Sequence, residues 1–591
     1  MATLVRERDR PEVDEEERPA QRRAGGRLGR IPPLALHAAA FGLLLLALAP
    51  LLHLQTAWVG DEGAYAMQVQ ALRDGHWEYD YAGQEFDPKG SWFPLATGEG
   101  FNYRFDGRFY SYVKHPTYIL LQRISVGAFG EGIGFHLPAM AGALLCAIAA
   151  WLLAEELAGR AQRLAFWLAA SGPVIFNAYV MWAHALSAGI AGLTLLVGLR
   201  LAKGRWSLTG LAGLASGVIL LGLVRAEGVL FGLALALPLG LLAWRALGPA
   251  RATAVVAVTG AGAAVARLGG ARLVDLVVRG PYGSDGVRGG QVKLPYLEGR
   301  WTGAYHVLVQ GSEATVRAAR LSQLGAVLIV AGALLLRGRW RPTALAGIAL
   351  MAAGVYAVAL RFHEFPFESV TGLFVAWPVV FVGLLAHRKR TWSAPATAVA
   401  GVLMTFLTGV VLTQYAIGGG LEWGGRFLSP LGAPVAALGA VGMADVVARH
   451  RSKLVAVPLV AALAAAAVIP AASGLRLLEK YRTEKGDFHR ELAARSDPVI
   501  VIGILGLVEL PRQAWAMDNR FDWIMAPSPG DVPVVLEKLR ANGFRDVTLL
   551  EEKDDPSLAS IPYPVVHDVT GPRVAGANWV LLSLHDGGGA P

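Results

Sequence analysis

Cysteine is almost absent from this chain, and charged residues are scarce for its length. The one cysteine, Cys146, lies in an apolar run, so no intramolecular disulfide can form. Asp, Glu, Lys and Arg make up 17% of the 591 residues, whereas a typical soluble domain carries about 25%. Apolar residues make up 54%, so much of the surface must face something other than water, which argues against an ordinary soluble protein.

The positive charge is placed in a way that does not indicate a nucleic-acid partner. The net charge is +9, but Lys and Arg collect in short clusters between apolar runs, as they do in membrane proteins. Residues 1–30 are rich in Arg, Glu and Pro, and we expect a disordered cytoplasmic tail there. The first apolar run begins near Leu34 and is long enough to span, so it is predicted to be an anchor rather than a cleaved signal peptide.

The apolar runs predict a polytopic, all-α membrane domain over residues 31–473, with about thirteen transmembrane helices of roughly 20 residues each. The predicted spans are 34–52, 134–157, 162–180, 184–201, 207–224, 226–244, 252–268, 321–336, 343–360, 370–387, 396–416, 428–447 and 454–473.

The connections between these runs test the number of spans and their orientation. With the amino terminus in the cytoplasm, each of six short cytoplasmic connections holds two or three basic residues and no acidic residue. The basic residues are Arg160, Arg163, Lys203, Arg205, Arg245, Arg251, Arg337, Arg339, Arg341, Arg388, Lys389, Arg390, Arg449, Arg451 and Lys453. The weakest span, 252–268, is retained because dropping it would invert every later connection.

The remaining chain is then extracytoplasmic. It comprises an outer loop at 53–133, a second at 269–320, two short loops at 361–369 and 417–427, and the segment 474–591. The apolar stretch 116–130 is too short to span and is predicted to be a juxtamembrane helix lying along the outer surface. Segment 474–591 predicts a small α/β domain, with strands at Val499–Leu505, Val547–Leu550 and Trp579–Leu584 and a helix at 532–542.

Two adjacent carboxylates, Asp61 and Glu62, follow the first span directly. A carboxylate at the bilayer surface can act as a base for a substrate hydroxyl. Alternatively, both are ordinary acidic residues favoured by the dipole at the start of a helix. The same outer loop ends in Lys114-His115-Pro116, whose cations would stand near phosphate groups or serve as simple interfacial anchors.

An apolar span followed by Asp61-Glu62, a long outer loop and a basic residue before Pro116 resembles the GT-C glycosyltransferases. The resemblance is to protein O-mannosyltransferases and aminoarabinose lipid A transferases, and it covers roughly residues 34–450. It implies a GT-C-like plasma-membrane enzyme that takes a sugar from a polyprenyl-phosphate donor. The acceptor would be an extracytoplasmic glycan, lipid or protein, and membrane lipids would be the other partners.

Other positions are also similar to those enzymes. They are Tyr179–His184 at an outer turn, Arg225–Gly228 at a tight hairpin, and Glu422–Phe427 before the twelfth span. The resemblance implies donor-phosphate binding by Lys114, His115, Arg225 and Arg426, and substrate contacts from Tyr65, His184, Glu227, Glu422 and Trp423. Relatives often carry an acidic residue where this chain has His184, which argues against an acidic metal ligand there.

Each of these positions also has a structural interpretation. Arg225 and Glu227 would neutralise one another at a membrane face where unpaired charge is costly. His184 would be a packed, hydrogen-bonded histidine. The charged outer turn that holds Arg361 is predicted to be solvated.

The resemblance also implies a mechanism. Asp61 would be the general base of an inverting transfer, and Lys114, Arg225 and Arg426 would stabilise the departing phosphate. Glu62 would position the acceptor or, with Asp61, hold an optional Mg²⁺ or Mn²⁺. One alternative is a transporter or flippase of lipid-linked sugars, which shares the helix count but usually shows repeated halves and broken helices. Another is a membrane scaffold whose outer domain binds a wall polymer, although that leaves Asp61-Glu62 unexplained.

Overall fold

The structure is a computed structural model of the chain. It describes residues 32–79, 81–88, 90–93, 102–105, 108–111, 115–278, 297–310, 315–365, 371–387, 392–413, 423–495, 499–503, 520–526, 528–552, 565–570 and 579–585.

Helices dominate the chain. In order they are α1 Pro33–Leu48, α2 Gly60–Arg73, α3 Pro116–Phe129, α4 Ile133–Ala158, α5 Gln162–Ala170, α6 Pro173–Asn177, α7 His184–Ala202, α8 Leu208–Val224, α9 Ala226–Leu247, α10 Pro249–Val278, α11 Leu297–Leu308, α12 Val316–Leu335, α13 Arg341–Glu364, α14 Leu373–Ala376, α15 Pro378–Ala386, α16 Ala394–Thr413, α17 Gly432–Arg449, α18 Lys453–Ala493 and α19 Val532–Ala541. Short 3₁₀ turns lie at Ala49–Leu52, Ala82–Glu85, Arg426–Leu431 and Pro529–Asp531.

Ten helices in the described part of the chain are long and apolar enough to cross a membrane. The other predicted spans fall on the shorter apolar helix α8 and on two interrupted helices, α5 with α6 and α14 with α15. The predicted span 252–268 lies within α10. A polytopic helical membrane domain is therefore confirmed as the fold class, while the number of spans stays a prediction.

Prolines explain the two interruptions. Pro173 begins α6 and Pro378 begins α15, and a proline supplies no N–H to the preceding helical turn. The residue before a proline also avoids the helical region, and Gly172 and Trp377 both have extended or irregular backbone. The two breaks face each other, because the Trp377 ring packs where a side chain on Gly172 would lie.

The six predicted cytoplasmic connections lie at one end of the bundle. A chain of contacts joins them: Glu156 pairs with Arg200, Lys203 and Arg205; Arg251 lies over the Trp206 ring; Arg160 and His387 pair with Asp445; and Arg449 donates to the carbonyls of Arg337 and Ala386. This common end is what the predicted alternation of spans requires. The membrane side that it faces stays a prediction.

Helix α3 coincides with the predicted juxtamembrane helix. Tyr118 and Gln122 are buried against the bundle, whereas Leu120, Ile124 and Phe129 are exposed. An exposed apolar edge on a helix that packs on α4 suits a position at a lipid surface.

The carboxy-terminal region contains a five-stranded mixed sheet. Its strands are β3 Val499–Ile502, β4 Asp522–Met525, β5 Asp546–Glu552, β6 Val565–Thr570 and β7 Trp579–His585, after a hairpin of β1 Asn102–Phe105 and β2 Arg108–Ser111 in the first outer loop. The order is β4-β3-β5-β7-β6, with β3 parallel to β4 and β5, and β7 antiparallel to β5 and β6. The predicted small α/β unit is thus confirmed, with α19 as its helix, although β4 and β6 were not predicted.

Helix α18 joins the two parts of the chain. It continues without interruption past residue 473, the predicted end of the last span, to Ala493. The sheet also contacts the first outer loop directly, since the Met525 N–H donates to the Trp92 carbonyl at 2.9 Å. Lys538 lies 5.1 Å above the Trp92 ring. The first outer loop, which contains Asp61, is therefore held between the helical bundle and the α/β unit.

Candidate functional site

Asp61 and Arg426 come together at one end of the bundle. Asp61 lies in the first turn of α2, and Arg426 begins the 3₁₀ turn that leads into α17. Arg426 Nη1 is 3.7 Å from Asp61 Oδ2, and the two side chains are 18% and 22% exposed. Because both side chains remain partly accessible, the carboxylate and the guanidinium can both reach a ligand.

Two glycines place Arg426. Gly424 and Gly425 have φ values of 74° and 64°, which favour glycine strongly. A Cβ on Gly424 would lie 2.4 Å from the Pro173 ring, and one on Gly425 would lie 2.4 Å from the Val307 carbonyl oxygen. The backbone therefore approaches the α5–α6 break closely, and this brings Arg426 next to it.

Aromatic rings fix the Arg426 guanidinium. It lies 5.2 Å from the centre of the Trp182 ring and 5.0 Å from that of Phe427. The Trp182 ring in turn meets the His184 imidazole edge-on at 5.3 Å. Such cation–π contacts leave the N–H edge of a guanidinium available for in-plane hydrogen bonds.

A cleft lies beside Arg426 and between the two helix breaks. Its polar lining comes from Arg426, His184, Asn177, Ser429 and Trp377. The remaining lining is apolar or glycine: Ala169, Gly172, Pro173, Val174, Ala185, Ala188, Leu373, Gly424, Gly425, Leu428, Leu431, Gly432 and Val435. The predicted site residues His184 and Arg426 therefore share one cavity.

Glu62, in contrast, points into the protein. Its side chain is fully buried, and it accepts the backbone N–H of Trp58 and, at 2.6 Å, that of Met181. Arg482 Nη2 lies 3.4 Å from Glu62 Oε1. Burial, the largest influence, raises the pKa of the Glu62 carboxyl, and Arg482 and the two amides oppose the rise. Glu62 thus joins the start of α2 to the turn before α7.

Helix α18 holds the same segment from the other side. Arg482 is fully buried and donates to the carbonyl oxygens of Leu52 at 3.2 Å and Tyr179 at 2.7 Å. Lys485 Nζ donates to the Trp58 carbonyl at 2.8 Å. One basic face of α18 therefore fixes both ends of the segment between α1 and Glu62, and so fixes the backbone that carries Asp61.

Arg225 and Glu227 form a two-point ion pair at the junction of α8 and α9. Arg225 Nη2 is 2.6 Å from Glu227 Oε1, and Nε is 3.0 Å from Oε2. Both residues are buried, and His115 lies within electrostatic reach of Glu227. This geometry favours the neutralisation that the sequence left as an alternative, since the fork of the guanidinium already faces a carboxylate.

The other predicted site residues lie elsewhere. Tyr65 is buried and packs edge-on against Tyr118 at 5.6 Å. Trp423 is buried and stacks on Phe176 at 5.6 Å, so both aromatic residues belong to the packed interior. Lys114 and Glu422 lie outside the described residues.

The predicted cation site does not fit the geometry of Glu62. The carboxylate oxygens of Glu62 face three N–H donors and no solvent, and they are not presented beside Asp61. In the described part of the chain, no group of three or more His, Cys, Asp and Glu side chains is arranged to hold a metal ion. A Mg²⁺ or Mn²⁺ ion held by both Asp61 and Glu62 would require Glu62 to leave these contacts.

Sequence reasoning missed the basic face of α18. Arg482 and Lys485 lie in the stretch Leu475–Lys485, which contains neither proline nor glycine, and this was the available signal that the last span continues as a charged helix. It was also wrong about Arg361, which is fully buried rather than solvated.

Comparison with known proteins adds similarities at low identity. No protein-family model matches the chain, and no curated protein sequence matches it. ArnT from Cupriavidus metallidurans bound to undecaprenyl phosphate is 14% identical with a TM-score of 0.48, covering 92% of this chain and 98% of that one. The apo form is 13% identical with a TM-score of 0.46 over the same shares. The Archaeoglobus fulgidus oligosaccharyltransferase with zinc and sulfate is 13% identical with a TM-score of 0.40, covering 85% and 67%.

Proposed function

We propose that this protein is a membrane glycosyltransferase that moves a sugar from a polyprenyl-phosphate donor to a hydroxyl of an extracytoplasmic acceptor. The main observation behind the proposal is the Asp61–Arg426 pair, in which Arg426 also lines the cleft. A base and a phosphate-binding cation are the two groups that such a transfer needs. The resemblance of the Asp61-Glu62 loop to the GT-C enzymes supports the same conclusion.

The transfer takes one step in this account. Asp61 removes the proton of the acceptor hydroxyl as its oxygen attacks the anomeric carbon of the donor sugar. The bond from that carbon to the phosphate oxygen breaks, and its electron pair leaves with the polyprenyl phosphate. Arg426 stabilises the added charge on the phosphate, and the proton ends on Asp61. A single displacement inverts the anomeric centre.

Arg426 serves Asp61 and the donor in turn. Without donor, its guanidinium lies against the Asp61 carboxylate. A phosphate offers more charge and a geometry suited to two parallel hydrogen bonds, so it competes well for the same guanidinium. Donor binding then releases Asp61 to act as a base, which couples the activation of the acceptor to the presence of the donor.

Glu62 and Arg482 have a positioning role in this mechanism. Their buried contacts hold the first turn of α2 against α18 and the turn before α7. Asp61 precedes Glu62 by one residue, so the orientation of Asp61 depends on these contacts. Arg225 and Glu227 are assigned to the support of the α8–α9 hairpin rather than to the donor phosphate.

A transporter of lipid-linked sugars is the second candidate, because two interrupted helices flank the cleft. Mass spectrometry of lipids from a deletion strain identifies the donor, because loss of either activity leaves the donor unconsumed. A transferase mutant accumulates polyprenyl-phosphate sugar and lacks that sugar on an envelope acceptor. Assays on the purified protein separate the two functions: in liposomes that contain donor and acceptor, a transferase should release free polyprenyl phosphate as the sugar moves to the acceptor hydroxyl. Movement of intact donor between leaflets with no release would contradict the transferase.

A further inference from the structure

Two buried polar atoms, Asn177 Oδ1 and Trp377 Nε1, belong to residues that line the cleft beside Arg426. Asn177 ends α6 and is 3% exposed, and Trp377 lies at the α14–α15 break and is 2% exposed. Asn177 Nδ2 donates to the Pro173 carbonyl at 3.0 Å, which leaves Oδ1 as the acceptor. Among the residues that the structure describes, neither Asn177 Oδ1 nor Trp377 Nε1–H has a hydrogen-bond partner. Both residues line the cleft.

Unpartnered buried polar atoms are uncommon, because each one loses its hydration without a replacement. Here one acceptor and one donor stand on the same cavity, on the two helix breaks that face each other. The Trp377 ring is held there by Gly172, where a Cβ would lie 2.7 Å from the ring. This arrangement indicates a ligand that supplies both a donor and an acceptor.

The chemistry of that ligand follows from the two atoms. A hydroxyl both donates and accepts, so hydroxyls satisfy Asn177 Oδ1 and Trp377 Nε1–H together. An isoprenoid chain satisfies neither, and an ionised phosphate offers no donor to Asn177. We infer that this cleft holds the sugar ring of the donor, with Asn177 and Trp377 forming hydrogen bonds to its hydroxyls. The inference rests on the proposed function.

The rest of the lining narrows the class of sugar. Apart from Arg426, His184 and Ser429, the remaining lining is apolar or glycine and would leave further hydroxyls unpaired; it includes Pro173, Val174, Leu373, Leu428 and Val435. A sparsely hydroxylated sugar, a pentose or a deoxyhexose, suits this lining better than a fully hydroxylated hexose.

The test compares sugar-bearing and bare carriers on the full-length protein in nanodiscs. The probes are undecaprenyl phosphate and a panel of undecaprenyl-phosphate hexoses, deoxyhexoses and pentoses. In the wild type, we expect a pentose or deoxyhexose to bind at least tenfold more tightly than the bare carrier. Asn177→Leu and Trp377→Phe should each remove about tenfold of that excess and leave bare-carrier affinity unchanged.

Two controls keep the result interpretable. Thr194→Val removes a buried hydroxyl from α7 that bonds its own helix and does not line the cleft, so it should change neither affinity. Trp377→Phe keeps an aromatic ring and removes the indole N–H. If Asn177→Leu does not fold, the affinities of Trp377→Phe for glycosylated and bare carrier are sufficient for the test.

Other outcomes overturn the inference. Equal loss of bare-carrier affinity in both variants would assign the cleft to the isoprenoid. A wild type that binds no glycosylated carrier more tightly than the bare one, or variants that keep the full excess, would remove the sugar subsite while carrier binding still supported the proposed function. A wild type that binds no carrier at all would contradict the proposed function itself.

Discussion

Arg426 Nη1 lies 3.7 Å from Asp61 Oδ2, although one residue follows the first apolar helix and the other precedes α17. Both side chains are partly accessible, and Arg426 also lines the cleft and lies over the Trp182 ring. In the proposed mechanism, Asp61 and Arg426 contact each other before the donor binds. Afterwards, Asp61 contacts the acceptor hydroxyl and Arg426 contacts the donor phosphate.

Arg426→Ala should weaken binding of undecaprenyl phosphate by roughly 10- to 100-fold, from about 1.5–3 kcal/mol for a hydrogen bond to a charged group. Arg426→Lys should recover part of the affinity, because lysine keeps the charge but loses the two-point fork. The measurement is carrier affinity in detergent. Arg73→Ala, which removes an exposed cation paired with Glu131, is the control and should leave affinity unchanged. Unaltered affinity in Arg426→Ala would remove the phosphate site.

Arg482→Met should destabilise the protein by about 3–5 kcal/mol, because it leaves the buried Glu62 without its cation. Adding Glu62→Gln should restore part of the loss, since the remaining neutral amide is cheaper to bury. Thermal unfolding in detergent of the two single variants and the double variant gives the coupling energy. Additive effects in this cycle would show that the two side chains do not support each other.

Positioning by Arg482 makes a second, separable prediction. In Arg482→Lys, we expect carrier affinity to stay near that of the wild type while the rate constant for transfer falls, because Asp61 moves and Arg426 does not. Equal changes in carrier affinity and rate would indicate a general loss of folded protein rather than a displaced base.

The Arg225–Glu227 pair should behave as a structural unit. Arg225→Met alone should lower stability by about 3–5 kcal/mol, because Glu227 is left buried and unpaired. The double variant Arg225→Met with Glu227→Leu should regain most of that stability and keep carrier affinity within about twofold. Thermal unfolding and carrier binding are the two readouts. A double variant that folds but no longer binds carrier would return Arg225 to the phosphate site.

The six predicted cytoplasmic connections, which contacts join at one end of the bundle, predict the membrane topology. Reporters fused after Arg341 and Lys453 should be active in the cytoplasm, and a reporter after Arg495, beyond the end of α18, should be active outside. A cytoplasmic signal from the last fusion would contradict an odd number of spans.

The elements of the fold that could be predicted are those marked by local runs of apolar residues and clusters of basic residues. Apolar run lengths located the long helices, and basic clusters such as Lys203 and Arg205 identified connections that share one end. Short strands in the carboxy-terminal unit were found where apolar residues were consecutive. The strand Asp522–Met525 begins with a charged residue and holds only three consecutive apolar residues, and it was not predicted.

The site was predictable only in its exposed members. Asp61 and Arg426 were found because a charge beside an apolar run is conspicuous. The role of Glu62 was not, because it depends on Arg482, which is distant in the chain and contributes through burial. A sequence window shows which residues are charged, but it does not show which carboxylate faces water and which faces a guanidinium.

Asp61→Asn tests whether Asp61 is the base that takes the proton of the acceptor hydroxyl. The variant keeps the shape of the side chain and removes its basicity, and it removes a competitor of the donor phosphate for Arg426. Transfer from undecaprenyl-phosphate sugar should therefore fall by roughly 10²–10⁴-fold, with thermal stability preserved and carrier affinity equal to or tighter than that of the wild type. A folded Asp61→Asn protein that binds carrier and transfers sugar at the wild-type rate would contradict the assignment of Asp61 as the base.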